Sequence, residues 1–181
     1  MPVPTTTERL VLRPITADDM ELLYELGSDP RVLSHLPSGG YLSREQTEAQ
    51  VTGFVASWAD CSLGYWLAHD GEGAFVGVGG CTAATTGVWN VYYRVRYEQQ
   101  RRGYAVELAR AGIAAARVVD PDRPVTAQVF EHNVASLATV ERVGLQLVWR
   151  GPEPGRPDAS RLIYADRELA PATLAGLIAR T

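Results

Sequence analysis

The sequence predicts a mixed α+β domain with a central, mostly antiparallel seven-stranded sheet and about four helices, in the order β-α-α-β-β-β-α-β-α-β-β. Three observations carry this. The 181 residues are 46% hydrophobic and 21% charged, a globular balance with room for a single domain over 1–181. Apolar residues recur at helical spacing as far as Trp58, then give way to short strand-like runs. Mid-chain, a strand passes through a glycine-containing loop into an alanine-rich helix and on to another strand, the signature of a crossover connection.

The elements follow in order. Glu8 to Arg13 alternates as a strand and is ended by Pro14. Thr16-x-x-Asp19 starts a helix that carries Met20, Leu23 and Leu26 and stops at Gly27. Asp29 to Tyr41 reads as a Pro/Gly loop, and Ser43-x-x-Gln46 caps a second helix with Val51, Phe54, Val55 and Trp58 on one side. Leu63–His69, Ala74–Thr82 and Val88–Val95 form a meander turned at Asp70-Gly71 and Thr86-Gly87. A helix from Tyr104 to about Arg117 presents Ala105, Leu108, Ala109, Gly112 and Ala116 as a small-residue face for close packing on a sheet. Val125–Phe130 is a strand, and Asn133 caps a short helix ending at Gly144. Leu145–Arg150 and Ser160–Ala165 are the last strands, around a Pro/Gly loop at 151–158, and a short helix begins at Pro171.

Composition excludes several classes. All 17 basic residues are Arg and the net charge is −4, which argues against nucleic acid and membrane surfaces and mildly favours cationic partners. Cys61 and Cys81 show no metal or disulfide spacing, and His35, His69 and His132 are scattered, so no metal site is expected. The start has no signal-peptide pattern and no apolar run approaches a membrane span, so a cytoplasmic location is expected.

The chemistry concentrates between Val88 and Ala116. Four Arg fall between Arg94 and Arg102, and Arg101 and Arg102 stand against the positive end of the helix that follows. An external anion held by free amides, with Gly103 letting the backbone approach, would explain that arrangement. No Walker A loop is present. Gly77-Val-Gly79-Gly80-Cys81-Thr82 lacks the last glycine of a dinucleotide fingerprint, so its glycines read as a bulged or closely approached strand.

Gln100-Arg-Arg-Gly103-Tyr-Ala105 resembles the [QR]-x-x-G-x-[GA] motif with which the GNAT N-acetyltransferase superfamily cradles the diphosphate of acyl-coenzyme A. Further segments resemble the branch that acetylates ribosomal-protein N-termini. These are Thr7-Glu-Arg-Leu-Val-Leu-Arg-Pro14, Asp29-Pro30-x-Val32 with Leu36-Pro37, Asn133-x-x-Ser136 continuing to Val140-Glu-Arg-x-Gly144-Leu145, and Arg161-Leu-Ile-Tyr164-Ala165. The match runs in order over roughly residues 6–166.

The resemblance implies that acetyl-CoA is the cosubstrate and that a primary amine, a peptide N-terminus or a small amine, attacks its carbonyl directly in a ternary complex. Tyr93, Arg94 and Val95 would flank the pantetheine arm, which pairs with exposed backbone, and an amide near Val95 would polarise the carbonyl. Gln100, Arg101, Arg102, Gly103, Tyr104 and Ala105 would hold the diphosphate. Asn133 would bond the pantetheine, and Ser136 would serve both as a cofactor contact and as the catalytic partner of the departing thiolate. Many relatives place a Tyr where this chain has Val140. Asn90 and Gln128 stand where a basic Glu is sought, leaving Glu131 and Asp166 as candidates by proximity. Without a strong base, the site favours α-amines, whose pKa of about 7.7–8.0 leaves them partly neutral at physiological pH. Tyr41, Trp58, Trp66 and Tyr92 are candidates for the acceptor pocket, though their spacing also suits core, and Asp29, Glu45 and Glu48 could attract a cation. The alternative is a catalytically silent acyl-CoA-binding sensor; a nucleotide-phosphate protein unrelated to coenzyme A is a third reading. Similar proteins are often homodimers.

Overall fold

The computed structural model describes residues 5–33 and 42–179, apart from the side chain of residue 157. Its strands are β1 (Leu10–Pro14), β2 (Tyr65–Asp70), β3 (Phe75–Ala83), β4 (Trp89–Val95), β5 (Val125–Phe130), β6 (Gln146–Glu153) and β7 (Arg156–Ala165). Its helices are α1 (Met20–Ser28), α2 (Pro30–Leu33), α3 (Arg44–Cys61), α4 (Tyr104–Val119), α5 (Val134–Arg142) and α6 (Pro171–Ala179). The expected mixed α+β architecture is therefore observed, with the expected helix from Pro171 present as α6 and α2 added to the expected helices. Among the described residues, no helix is long and apolar enough to cross a membrane.

One sheet orders the strands β1-β2-β3-β4-β5-β7-β6. Every neighbouring pair is antiparallel except β4–β5, which the α4 crossover makes parallel. That pair registers at Trp89↔Val125 and Asn90↔Thr126 and no further. β4 continues to Val95 and β5 to Phe130, so the two strands part and leave a gap in the middle of the sheet.

The strand alternation divides two layers. Val91, Val95, Val125, Ala127 and Val129 pack with Leu108, Ala109, Ile113 and Val140 on the α4–α5 face. On the other face, Tyr65, Leu67 and Val78 pack with Leu23, Leu26, Val32 and Val51 of α1–α3. Beside them, Ile163 and Ala165 pack with Leu177 of α6. The glycines of β3 mark a close approach, as expected: a Cβ on Gly112 would lie 2.7 Å from the Gly80 carbonyl carbon, so α4 sits directly on the β3 backbone.

Two loops differ from expectation. The Asp29–Tyr41 stretch contains the four-residue α2, whose Val32 and Leu33 are buried; residues 34–41, including His35, Leu36, Pro37 and Tyr41, lie outside the described residues. The loop expected at 151–158 is mostly strand. β6 and β7 pair as far as Glu153↔Arg156, because Gly155 turns with φ +76° and Glu153 pairs with the buried Arg161 (2.8 Å).

Both capping boxes form, at Thr16/Asp19 and Ser43/Gln46. Asp19 is 3% exposed and accepts from the Thr16 amide (2.8 Å) and Arg13 Nη1 (2.7 Å). Burial alone would raise its pKa, but Arg13 and Thr16 outweigh it and hold the carboxyl below its ordinary range. A group so depressed stabilises the fold above its unfolded value and loses that contribution as pH falls through the native one. Asp19→Asn is therefore expected to cost about 1–2 kcal/mol at neutral pH. In paired urea titrations, the difference from the parent should shrink as pH drops below about 4.

Candidate active site

The gap between β4 and β5 opens into a cleft of about 600 Å3, walled by both strands, the loop before α4, the first turn of α4 and one side of α5. Its backbone is directed by strand period. The Trp89 amide donates to Pro124 on the β5 side (2.8 Å), so the N–H and C=O groups of Val91, Tyr93 and Val95 also point that way, into the gap. Val125 bonds Asp166 on the far side, which turns the Thr126, Gln128 and Phe130 backbone toward β4.

The loop is shaped to expose amides. Arg101 takes φ +62° and Gly103, the N-cap of α4, takes φ +84°. The first intrahelical bond runs from the Glu107 amide to the Gly103 carbonyl (3.2 Å). The amides of residues 103–106 therefore precede the hydrogen-bonded ladder, and no side chain caps them. Gln100 Nε2 donates to the Val95 carbonyl (3.2 Å) and ties the loop to the end of β4. Arg9 braces it from below, donating to the Arg102 carbonyl (2.7 Å) and pairing with Glu107 (2.6 Å). Arg101 is exposed at the cleft rim, whereas Arg102 is not among the cleft-lining residues; its guanidinium donates to the Gln99 side chain (2.6 Å). Tyr93, Arg94, Val95, Gln100, Arg101, Gly103, Tyr104, Ala105, Asn133 and Ser136 all line the cleft.

At the start of α5, Asn133 Oδ1 accepts from the Ser136 amide (3.1 Å), leaving its Nδ2 group for the cleft. The Asn133 amide goes to the Phe130 carbonyl (2.9 Å), so the Ser136 hydroxyl takes no part in the cap. Tyr93 reaches across the gap and donates its hydroxyl to the Ser136 carbonyl (3.2 Å). Burial raises the Tyr93 pKa, against opposing contacts from the Ser136 and Thr139 hydroxyls, so the phenol stays protonated.

The carboxylates suggested as bases are elsewhere. Asp166 receives the Val125 amide (2.9 Å) and pairs with Arg167 and Arg117 at the joined end of the strands. Burial pushes its pKa up, but these partners hold it lowered overall. Glu131 is paired with Arg150, and Asp29 with Arg31 (2.7 Å). Glu45 and Glu48 are exposed on α3. Asn90 Nδ2 and Thr82 Oγ1 both donate to the Tyr65 hydroxyl. Trp66 is core, with Trp58 packed on it, whereas Tyr92 lines the cleft.

The sequence reading did not single out Phe130, Thr139 and Arg142 as cleft residues. The signal for two of them was present, since Thr139 and Arg142 follow Ser136 at steps of three along α5. Among the described residues, no group of three or more His, Cys, Asp or Glu is placed to hold a metal ion.

The family model for an acetyltransferase (GNAT) domain matches residues 9–146. No curated protein matches the sequence. Solved structures with a similar fold include an acetyltransferase from Agrobacterium tumefaciens, at 25% identity and TM-score 0.76, covering 93% of this chain and 96% of that one. RimL, a ribosomal L7/L12 alpha-N-protein acetyltransferase in complex with coenzyme A, aligns at 18% identity and TM-score 0.74 over 92% and 99% of the two chains. Spermidine N-acetyltransferase from Vibrio cholerae, in complex with CoA and spermine, aligns at 15% and 0.69 over 88% and 97%.

Proposed function

The chain belongs to the GNAT acetyltransferase family and is an acetyl-CoA-dependent N-acetyltransferase, and from that premise we propose that the β4–β5 cleft is where a primary α-amine takes the acetyl group. The observation that carries this is the pairing of an open parallel gap with free amides at the start of α4. The pantetheine would pair with the Val91, Tyr93 and Val95 backbone, although Gln100 already occupies the Val95 carbonyl. The diphosphate would rest on the amides of residues 103–106, with Arg101 adding charge. Asn133 Nδ2 would donate to the arm.

Acetyl-CoA supplies an activated acyl carbon. The amine nitrogen bonds to that carbon, the C–S bond breaks, and the amine's extra proton leaves to water. Ser136 Oγ–H would donate to the departing sulfur, and a gap-facing β4 amide would polarise the carbonyl. Holding both reactants in one cleft supplies the proximity contribution. The similar folds that act on a protein α-amine and on spermidine leave the acceptor class open, and a cleft lining without a base among the described residues favours the α-amine. Among the described residues no Asp, Glu or His lines the cleft. The rate should then follow the acceptor's own neutral fraction. kcat/KM for an α-amine is expected to rise tenfold per pH unit and level off near pH 8, whereas for an alkylamine it should climb toward pH 10.

The experiment is release of free thiol from acetyl-CoA across a panel of peptides and amines. Turnover above the buffer rate supports the proposal. The silent sensor draws on Val140, a fully buried apolar residue where many relatives have Tyr; it predicts thermal stabilisation by coenzyme A with no turnover on any amine.

A further inference from the structure

Resting on the transferase reading, we propose that the acceptor is a primary amine bearing a carboxylate or phosphate near its nitrogen, and that Arg94 and Gln128 recognise that anion. The protein is acidic overall, yet its cleft wall is not. Arg31, Arg94, Arg101 and Arg142 line it, Arg31 already paired with Asp29 and Glu98, and no Asp or Glu lines it among the described residues. A polyamine would meet like charge there, at a cost that grows as the cleft excludes water.

Arg94 lies half-buried on β4. It has no carboxylate partner among the described residues; its guanidinium carbon stands 5.5 Å from the Tyr92 ring centroid. A cation held in a cleft without a counter-charge gains most from a ligand that provides one. The cofactor diphosphate is poorly placed to do so. The free amides belong to α4, on one sheet face, whereas Arg94 Nη1 stands 3.4 Å from where a Cβ on Gly27 of α1 would be, on the other. Strand alternation keeps Tyr92 and Arg94 on that second face with Thr126, Gln128 and Phe130 of β5.

Gln128 adds donors on the same face. Arg161 is 4% exposed and donates from Nη1 to the Gln128 amide (2.7 Å) and from Nη2 to the Ile178 carbonyl (2.7 Å). Because a guanidinium has no acceptor, the Gln128 atom facing it must be the oxygen. The NH2 group is thereby turned away from Arg161. It has no partner among the described residues, in a side chain that lines the cleft. Ser136 stands on the opposite, α5 side, so an amine approaching from the Arg94–Gln128 side would add to the carbonyl face while Ser136 stays free to meet the thiolate that leaves. The amine's own anion then meets a guanidinium and two N–H donors.

The test compares kcat/KM, expressed per neutral amine at the assay pH so that amine pKa drops out, for L-amino acids against the amines formed by removing their carboxylate, and for O-phosphoethanolamine against ethanolamine. Spermidine and an uncharged peptide amide are also assayed, in the parent and in Arg94→Gln. The expected result is at least a tenfold preference for the anionic member of one pair, falling to within threefold in Arg94→Gln while coenzyme A affinity changes less than threefold. The favoured pair tells carboxylate from phosphate. Equal or reversed preference, better use of spermidine or the peptide amide, or a variant that weakens coenzyme A and keeps the preference, would overturn the inference and leave the transferase reading standing. No turnover with any amine, despite stabilisation by coenzyme A, would remove both.

Discussion

Gly103→Val is expected to weaken coenzyme A binding about 10–100-fold in a protein that still folds. Gly103 occupies φ +84°, where a β-branched residue carries about 1–3 kcal/mol of strain, and each 1.4 kcal/mol is a factor of ten in affinity. The added Cβ would also come within 3.3 Å of Arg9 Nη2, which pairs with Glu107 and belongs to the guanidinium whose Nη1 holds the Arg102 carbonyl. The loop can relieve this by releasing Arg9 or by turning its amides away, and either spoils the anion cradle. Calorimetry with coenzyme A measures the loss, and circular dichroism checks the fold. Gly103→Ala should move the same way by less. Unchanged affinity in a folded valine variant would mean that the diphosphate rests elsewhere.

Ser136→Ala is expected to lower kcat about 100-fold or more while KM for acetyl-CoA stays within a few-fold. The prediction is clean because the fold does not use the Ser136 hydroxyl for its cap. The Asn133 cap takes the Ser136 amide, and Tyr93 takes its carbonyl, both of which alanine retains. A loss of stability beyond that of the hydroxyl's contact with the Tyr93 phenol should therefore not accompany the loss of rate. Steady-state kinetics with the best acceptor decides it. Undiminished kcat would make Ser136 a lining residue and pass the sulfur's proton to another group.

The parts of the fold that depend on neighbours in sequence were legible without coordinates. The two capping boxes, the Val125–Phe130 strand and the start of α4 after Gly103 follow from local chemistry and period. The hairpin at Pro154–Gly155 was not, because Pro and Gly read as loop until the Glu153–Arg161 pair shows why strand continues through them. In the site, the glycine loop and Asn133–Ser136 were visible as motifs, but side-chain direction was not. Arg102 turns to Gln99, and Arg94 leaves the face of the α4 amides; both are outcomes of tertiary packing that spacing alone does not encode. The orientation of the Gln128 amide depends on Arg161, 33 residues away, and could be assigned once β5 and β7 were paired.

The most direct measurement is a crystal structure of the protein grown with coenzyme A. The account predicts pantetheine lying between the diverging β4 and β5, with diphosphate oxygens within hydrogen-bond distance of the amides at the start of α4 and the sulfur beside Ser136. Coenzyme A bound at another surface, with side chains closing the gap between these strands, would contradict it.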